Sequence, residues 1–154
     1  MRKKAKKIIK ISKNLKETDE IAKMFLEEIL RKENSQKEAF VVGLVGNLGA
    51  GKTSFFQSAA KHLGVRGKIS SPTFVIMKKY LLKNKKYEFL FHLDAYRLKN
   101  EQELLHLGWQ DIVSNKKNLI FIEWPENVSK VMPKQSKYVL ISDPKDGQKH
   151  FKFK

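Results

Sequence analysis

The chain has 154 residues, of which 41% are hydrophobic and 31% are charged, with 32 Lys and Arg against 16 Asp and Glu. This length and composition fit one folded domain over 1–154 and exclude a disordered chain. No apolar run reaches the 18 residues that a membrane span needs. The absence of cysteine excludes disulfides, thiolate zinc sites and a cysteine nucleophile. We therefore expect a cytoplasmic protein with no membrane association.

The net charge of +16 predicts attraction to a polyanion, most naturally RNA. However, 28 of the 32 basic residues are Lys and only 4 are Arg. Specific readers of phosphates and bases usually enrich Arg, so this ratio favours lysines that are simply solvated. Both interpretations stay open. The basic stretches 1–7 and 134–154 are predicted to be extensions of the domain.

Hydrophobic periodicity and turn residues predict strands that alternate with helices. The predicted strands are 7–11, 39–45, 74–82, 87–93, 118–122, 138–141 and 150–153. The predicted helices are 17–31, 52–63 and 100–107. Thr18 is the predicted N-cap of the first helix; Asn100 is the predicted N-cap of the third helix, which Gly108 ends. The strand at 39–45 is apolar throughout, as in a parallel sheet that is covered on both faces. The fold class expected is α/β, with a mainly parallel central sheet flanked by helices and with β-hairpin additions, formed by strands 74–82 with 87–93 and 138–141 with 150–153.

Residues 46–53, with the sequence GNLGAGKT, match the pattern G-x-x-x-x-G-K-T of the P-loop. The glycines allow backbone N–H groups to wrap phosphate oxygens, and the following helix adds its positive N-terminal end. Lys52 can reach the β- and γ-phosphates, and the Thr53 hydroxyl is suited to ligate Mg²⁺. A buried strand before the loop and a helix after it are the context that this motif requires.

Two acidic residues follow predicted strands, Asp94 after 89–93 and Glu123 after 119–122. Ligands collect at the carboxyl ends of strands in open α/β sheets. One acid could hold the metal while the other orients or deprotonates the attacking water. Thr73 is a candidate switch hydroxyl in a loop, although an ordinary turn is equally consistent. Trp124 is expected to pack, either beneath a nucleotide or beneath a loop.

Several further segments accompany the P-loop in a fixed order. They are SPTF at 71–74, HLDAYRL at 92–98, EL with LG at 103–108, IEWP at 122–125 and MP at 132–133. Together these segments resemble the TsaE family, also called YjeE, the small bacterial ATPases of tRNA threonylcarbamoyladenosine biosynthesis. The resemblance covers approximately 8–133.

The resemblance implies a P-loop NTPase fold and an enzyme that binds ATP and Mg²⁺ and hydrolyses ATP slowly on its own. It further implies action with a TsaB–TsaD complex in modifying the adenosine next to the tRNA anticodon. By the same resemblance, the phosphate-binding residues are Gly49, Ala50, Gly51, Lys52, Thr53 and Ser54. Thr53 and Glu123 would hold Mg²⁺, Asp94 would be the catalytic acid beside Lys52, and Thr73 would be the switch hydroxyl.

Two other functions stay open at this point. A small-molecule or nucleoside kinase would share the P-loop, but such enzymes usually carry an Arg-rich lid, and no arginine follows Arg97. An RNA-binding module with a vestigial P-loop is opposed by the intact Lys52, Thr53 and both acids.

Overall fold

The computed structural model describes residues 8–32, 37–69, 76–84, 86–143 and 147–154. These residues form one seven-stranded sheet with helices on both faces. In chain order the elements are β1 (Ile8–Ser12), α1 (Leu15–Arg31), β2 (Phe40–Val45), α2 (Lys52–His62), β3 (Met77–Leu81), β4 (Phe89–Asp94), α3 (Glu101–His106), α4 (Trp109–Val113), β5 (Asn118–Glu123), a 3₁₀ helix (Pro125–Val131), β6 (Lys137–Ser142) and β7 (Lys149–Phe153).

The sheet is mixed, so the prediction of a mainly parallel sheet is wrong. Its strand order is β1-β7-β6-β2-β5-β4-β3. The four neighbours β6, β2, β5 and β4 run parallel, whereas the remaining pairings, β1 with β7, β7 with β6 and β4 with β3, are antiparallel. Short connections allow only antiparallel pairing, so each predicted hairpin adds an antiparallel strand. The C-terminal hairpin is an integral part of the sheet, because β6 pairs directly with β2.

Alternating side chains of the central strands divide the core into two layers. In β2, Val42 and Leu44 pack on the face that carries α1 and α2, whereas Val41 packs on the face that carries α3 and α4. The fully buried β5 divides in the same way. Burial on both faces explains why these two strands are apolar at nearly every position.

The first helix begins earlier than predicted, and Asn14 caps it instead of Thr18. Asn14 has an extended backbone, and its side-chain oxygen accepts a hydrogen bond from the Glu17 amide at 2.9 Å. The Glu17 carboxylate in turn accepts from the Lys13 amide at 2.7 Å. Thr18 is buried within the helix, where its hydroxyl lies 2.7 Å from the Ser12 hydroxyl.

Two short helical segments were not predicted. Gly108, with φ of 86°, separates α3 from α4 rather than ending the helical region. The fully buried Trp109 of α4 donates a hydrogen bond from Nε1 to the carbonyl of Val131 at the end of the 3₁₀ helix. A five-residue helix is too short for a hydrophobic period to identify it. Within the described ranges, no helix is both long and apolar enough to cross a membrane.

Candidate functional site

The carboxyl ends of β2, β4 and β5 lie side by side at one edge of the sheet. Asp94 is the last residue of β4, Glu123 is the last residue of β5, and the two are direct partners in the parallel register. Strand β2, on the other side of β5, leads into residues 46–53, which we call the glycine loop. The topology therefore brings both predicted acids beside the predicted phosphate loop.

The glycine loop depends on backbone conformations that other residues rarely adopt. Gly49 has φ of 79° and Gly51 has φ of 110°, both in the left-handed region. Gly51 is the N-cap of α2, and the first turn of that helix contains no acidic residue. The N-terminus of α2 thus presents its amides and its positive dipole end without a side-chain cap, which is the arrangement of an anion site.

Lys52 is buried at the start of α2, with only 5% of its surface exposed. Its ammonium donates hydrogen bonds to the carbonyls of Gly46 at 2.5 Å and Asn47 at 2.9 Å, and it lies 4.4 Å from the centroid of a Trp124 ring. Burial lowers the pKa of Lys52, and the nearby carboxylates, chiefly Glu123, oppose that shift. The fold therefore holds a cation against the inside of the glycine loop.

Thr53 and Glu123 are connected by a hydrogen bond across the site. The Thr53 hydroxyl lies 3.2 and 3.4 Å from the two carboxylate oxygens of Glu123, which is only 4% exposed. The second oxygen of Glu123 also lies 2.7 Å from Nε2 of His92, a fully buried imidazole that stacks on Phe56 with centroids 3.7 Å apart. His92 thus fixes the orientation of the Glu123 carboxylate.

Asp94 has a different environment from Glu123. It is half-buried, and its Oδ1 accepts a hydrogen bond from the Tyr96 amide at 2.9 Å. Burial raises the pKa of Asp94, and the charge of Glu123 acts in the same direction, while the Tyr96 hydrogen bond and the nearby cations lower it. A carboxylate with a raised pKa is a better proton acceptor than an ordinary aspartate.

The residues after the two acids also contribute to the site. Trp124 is the only described non-glycine residue with positive φ, at 59°. Such a conformation costs about 1–3 kcal/mol and is often found at functional sites. Its ring lies 5.0 Å from that of Tyr96, whose loop is held by Asn127 through hydrogen bonds to the carbonyls of Ala95 and Tyr96.

One cavity of about 340 Å³ collects most of the predicted site residues. The predicted residues that line it are Gly49, Gly51, Lys52, Thr53, Ser54, Asp94 and Glu123. Ala50 belongs to the same loop but is buried, and Thr73 lies outside the described residues. Arg97, Tyr96, Trp124 and Lys149 line the cavity as well.

Over the described part of the chain, no group of three or more His, Cys, Asp or Glu side chains could hold a metal ion by itself. A metal at this site would need the Thr53 hydroxyl, the Glu123 carboxylate and oxygens from a ligand. These are hard oxygen donors, which fit Mg²⁺.

The sequence indicated no role at the site for His92 or Lys149, which both contact site residues. The spacing of His92 to the other histidines does not suit a metal, and its place two residues before Asp94 was the available signal. Lys149 carries no local signal at all, because it reaches the site only through the pairing of the C-terminal hairpin.

Comparisons with known proteins identify the family. The model of the family described as "Threonylcarbamoyl adenosine biosynthesis protein TsaE" matches residues 12–151. The chain belongs to the TsaE family. The resemblance inferred from the sequence motifs is thereby confirmed, and with it a place in tRNA threonylcarbamoyladenosine biosynthesis.

Individual relatives agree with this assignment. The chain is 37% identical over 118 residues to the TsaE protein of Rickettsia prowazekii, covering 76% of this chain and 74% of that protein. It is 32% identical over 117 residues to the TsaE protein of Bacillus subtilis, covering 76% and 70%. The crystal structure of Bacillus subtilis YdiB superposes with a TM-score of 0.72 at 26% identity, covering 99% of this chain and 87% of that one.

Proposed function

We propose that this TsaE-family protein has a P-loop NTPase fold and is a Mg²⁺-dependent ATPase that serves tRNA threonylcarbamoyladenosine modification. The observation that carries the proposal is the convergence on one cavity of the glycine loop, the buried Lys52 ammonium, the Thr53–Glu123 pair and Asp94. Each of these groups has a part in phosphoryl transfer from a nucleotide to water.

Residues 49–54 would bind the phosphates of ATP. Backbone amides of the loop and of the first turn of α2 would donate to phosphate oxygens, aided by the helix dipole. Lys52 would exchange its carbonyl partners, Gly46 and Asn47, for oxygens of the β- and γ-phosphates. Lys52 is only 5% exposed, so it has little hydration to lose in this exchange.

Thr53 and Glu123 would hold Mg²⁺, with His92 keeping the Glu123 carboxylate oriented. When bound, Mg²⁺ supplies charge neutralisation on the phosphates. The Thr53 hydroxyl and the Glu123 carboxylate are already within 3.2 Å of each other, close enough for both to contact one ion. Thr73, which lies outside the described residues, remains a proposed switch hydroxyl for the γ-phosphate.

Asp94 would accept a proton from the attacking water. The water oxygen bonds to the γ-phosphorus, the bond to the β-phosphate oxygen breaks, and ADP and inorganic phosphate leave. A proton acceptor with a raised pKa suits this step. The Tyr96 amide holds the Asp94 carboxylate, and Asn127 holds the following loop through the carbonyls of Ala95 and Tyr96, so the carboxylate is kept at the cavity edge.

We further propose that this ATPase acts in the cytoplasm with a TsaB–TsaD complex, in which TsaD performs the carbamoyl transfer. Its turnover alone would be slow. ATP hydrolysis would then support repeated rounds of modification at the adenosine next to the anticodon. Whether tRNA contacts the basic surface of this chain directly or only through the partners is an outcome of the same experiment.

The test is ATP turnover by the chain alone and with TsaB–TsaD, each with and without tRNA. We expect slow turnover alone and stimulation by the complex, and we expect Lys52→Met to abolish both because the cation facing the phosphates is lost. The matched control is Lys61→Met, which removes the same charge from an exposed position on the same helix. Turnover by Lys52→Met at the level of the control would contradict the assignment of the site.

A further inference from the structure

A second lysine contacts the glycine loop from the C-terminal strand. Lys149 is the first residue of β7, and its ammonium lies 2.7 Å from the carbonyl oxygen of Ala50 and 3.4 Å from that of Gly49. A Cβ atom added to Gly51 would lie only 3.0 Å from the same nitrogen. Lys149 therefore sits directly against the start of α2, about 100 residues from the loop in sequence.

Aromatic packing fixes the position of β7 relative to this loop. Phe151 lies 5.6 Å from the ring of Phe55 in α2, and Phe153 stacks on Phe25 of α1 at 5.3 Å. Alternate residues of a strand share one face, so Lys149 projects from the same face as these two aromatic rings. The packing of β7 thus places the Lys149 backbone beside the glycine loop, and the hydrogen bond to the Ala50 carbonyl holds the ammonium there.

The contact of Lys149 with the carbonyls of Gly49 and Ala50 offsets an unfavourable charge interaction. A cation near a helix N-terminus is repelled by the helix dipole, so Lys149 needs compensation in this place. The carbonyls of Gly49 and Ala50 supply it. Lys52 likewise donates hydrogen bonds to the carbonyls of Gly46 and Asn47, from inside the loop. Lys52 therefore binds the carbonyls of the first half of the loop, and Lys149 binds those of the second half from the opposite side.

The two lysines differ in what a bound phosphate would do to them. Lys52 would leave its carbonyls for phosphate oxygens, whereas Lys149 would remain on Gly49 and Ala50. The carbonyl of one residue and the N–H of the next belong to the same planar peptide group, so a hydrogen bond that orients the carbonyl also orients that N–H. Restraint of these carbonyls consequently restrains the following amides.

We propose that Lys149 is a positioning residue of the nucleotide site, which orders the glycine loop by binding the carbonyls of Gly49 and Ala50. This inference rests on the proposed function, since it presumes that the loop binds phosphates. Lys149 raises the affinity for ADP and ATP alike, because both use the same loop amides. It leaves the chemical step nearly unchanged, because it does not act on the transferred phosphate.

The test compares Lys149→Met with Lys149→Arg. Calorimetric titration with ADP and with Mg-ATP should give dissociation constants about tenfold weaker for Lys149→Met, the scale of a lost hydrogen bond from a charged group. The rate constant at saturating ATP should stay within about threefold of the unchanged protein, and Lys149→Arg should recover most of the affinity. The control is Lys137→Met, which removes an exposed charge from the opposite end of the same hairpin.

A second measurement does not use nucleotide. The Ala50 amide donates to the Asn47 carbonyl within the loop at 3.0 Å, and its hydrogen exchange should accelerate by at least about fivefold in Lys149→Met while exchange in the middle of α2 is unchanged. Lys149→Gln is a second neutral variant that should behave in the same way.

The possible failures can be separated. Equal affinity and equal exchange in Lys149→Met and in the unchanged protein would overturn the role of Lys149 alone. A similar loss of affinity in Lys137→Met would also overturn it, because the effect would then be one of general charge. Failure of the unchanged protein to bind either nucleotide would instead contradict the proposed function.

Discussion

Asp94 and Glu123 end neighbouring strands, yet their surroundings give them different capacities. Glu123 is almost fully buried and is hydrogen-bonded to Thr53 and His92. Asp94 is half-buried, accepts one backbone hydrogen bond and has a raised pKa. The first arrangement favours a fixed metal ligand, and the second favours a group that exchanges a proton.

We expect Asp94→Asn to bind ATP with little change but to hydrolyse it at least about tenfold more slowly, the scale of a lost general base. Asn keeps the side-chain oxygen that accepts from Tyr96 but cannot take a proton. Titration calorimetry and steady-state turnover separate the two effects. Asp111→Asn, at an exposed position on α4, is the control, and equal turnover in both variants would leave Asp94 a structural role.

The pH dependence of turnover follows from the direction of the Asp94 pKa. In the proposed mechanism turnover requires the ionised form of Asp94, so we expect turnover to fall as the pH is lowered through this pKa. Because burial raises the pKa above the ordinary value of 3.8, the decline should begin at a higher pH than an exposed aspartate would give. The decline should disappear from the residual activity of Asp94→Asn. If the unchanged protein and Asp94→Asn have the same pH profile, the decline belongs to another group.

Glu123→Gln should chiefly change the dependence on Mg²⁺. Gln preserves the size and a hydrogen-bonding oxygen but removes the charge that a divalent ion prefers. We expect the Mg²⁺ concentration for half-maximal turnover to rise by at least about tenfold, while Mg-free ADP binds within about threefold of the unchanged protein. The control is Glu126→Gln, an exposed acid three residues away, and an unchanged Mg²⁺ titration would place the metal ligand elsewhere.

At the scale of single elements, α1 is anchored by its N-cap. The Asn14 side chain and the Glu17 carboxylate make reciprocal hydrogen bonds with backbone amides at the start of the helix. Asn14→Ala should lower the free energy of unfolding by about 1 kcal/mol in denaturant titrations. Lys13→Ala keeps the backbone amide that donates to Glu17, so its free energy of unfolding should stay within about 0.5 kcal/mol of that of the unchanged protein. No difference between these variants would show that the cap does not stabilise the helix.

The elements differed in how well the sequence predicted them. Helix α2 and the glycine loop were foreseen, because an apolar strand, a glycine pattern and a helix signal all agree there. The N-cap of α1 was misplaced by four residues, since both Asn14 and Thr18 are good capping residues and only the structure shows that Thr18 is buried against Ser12. Local pattern does not distinguish between two good capping residues one helical turn apart.

At the scale of the whole molecule, local signals determined which segments are strands but not how they pair. The hairpins at β3–β4 and β6–β7 were predicted, but the insertion of β6 beside β2 was not. This pairing is long-range, and it is what carries Lys149 to the glycine loop. The residues that line the cavity were therefore predictable where they lie in motifs or at strand ends, and not predictable where their place depends on the order of strands in the sheet.

The net charge of +16 is also a property of the whole molecule, and direct contact with tRNA stays a prediction from it. Two lysines of the proposed nucleotide site, Lys52 and Lys149, are instead bound to backbone carbonyls. Steep loss of tRNA affinity with rising salt would show that the lysines contact phosphates.

The most direct test of the central claim is a crystal structure with Mg²⁺ and a non-hydrolysable ATP analogue. We predict the triphosphate within hydrogen-bond distance of the amides of residues 49–54 and of the Lys52 ammonium, with the metal between Thr53 and Glu123. Nucleotide bound elsewhere, or a Lys52 ammonium that still binds the carbonyls of Gly46 and Asn47 and no phosphate at saturating analogue, would contradict it.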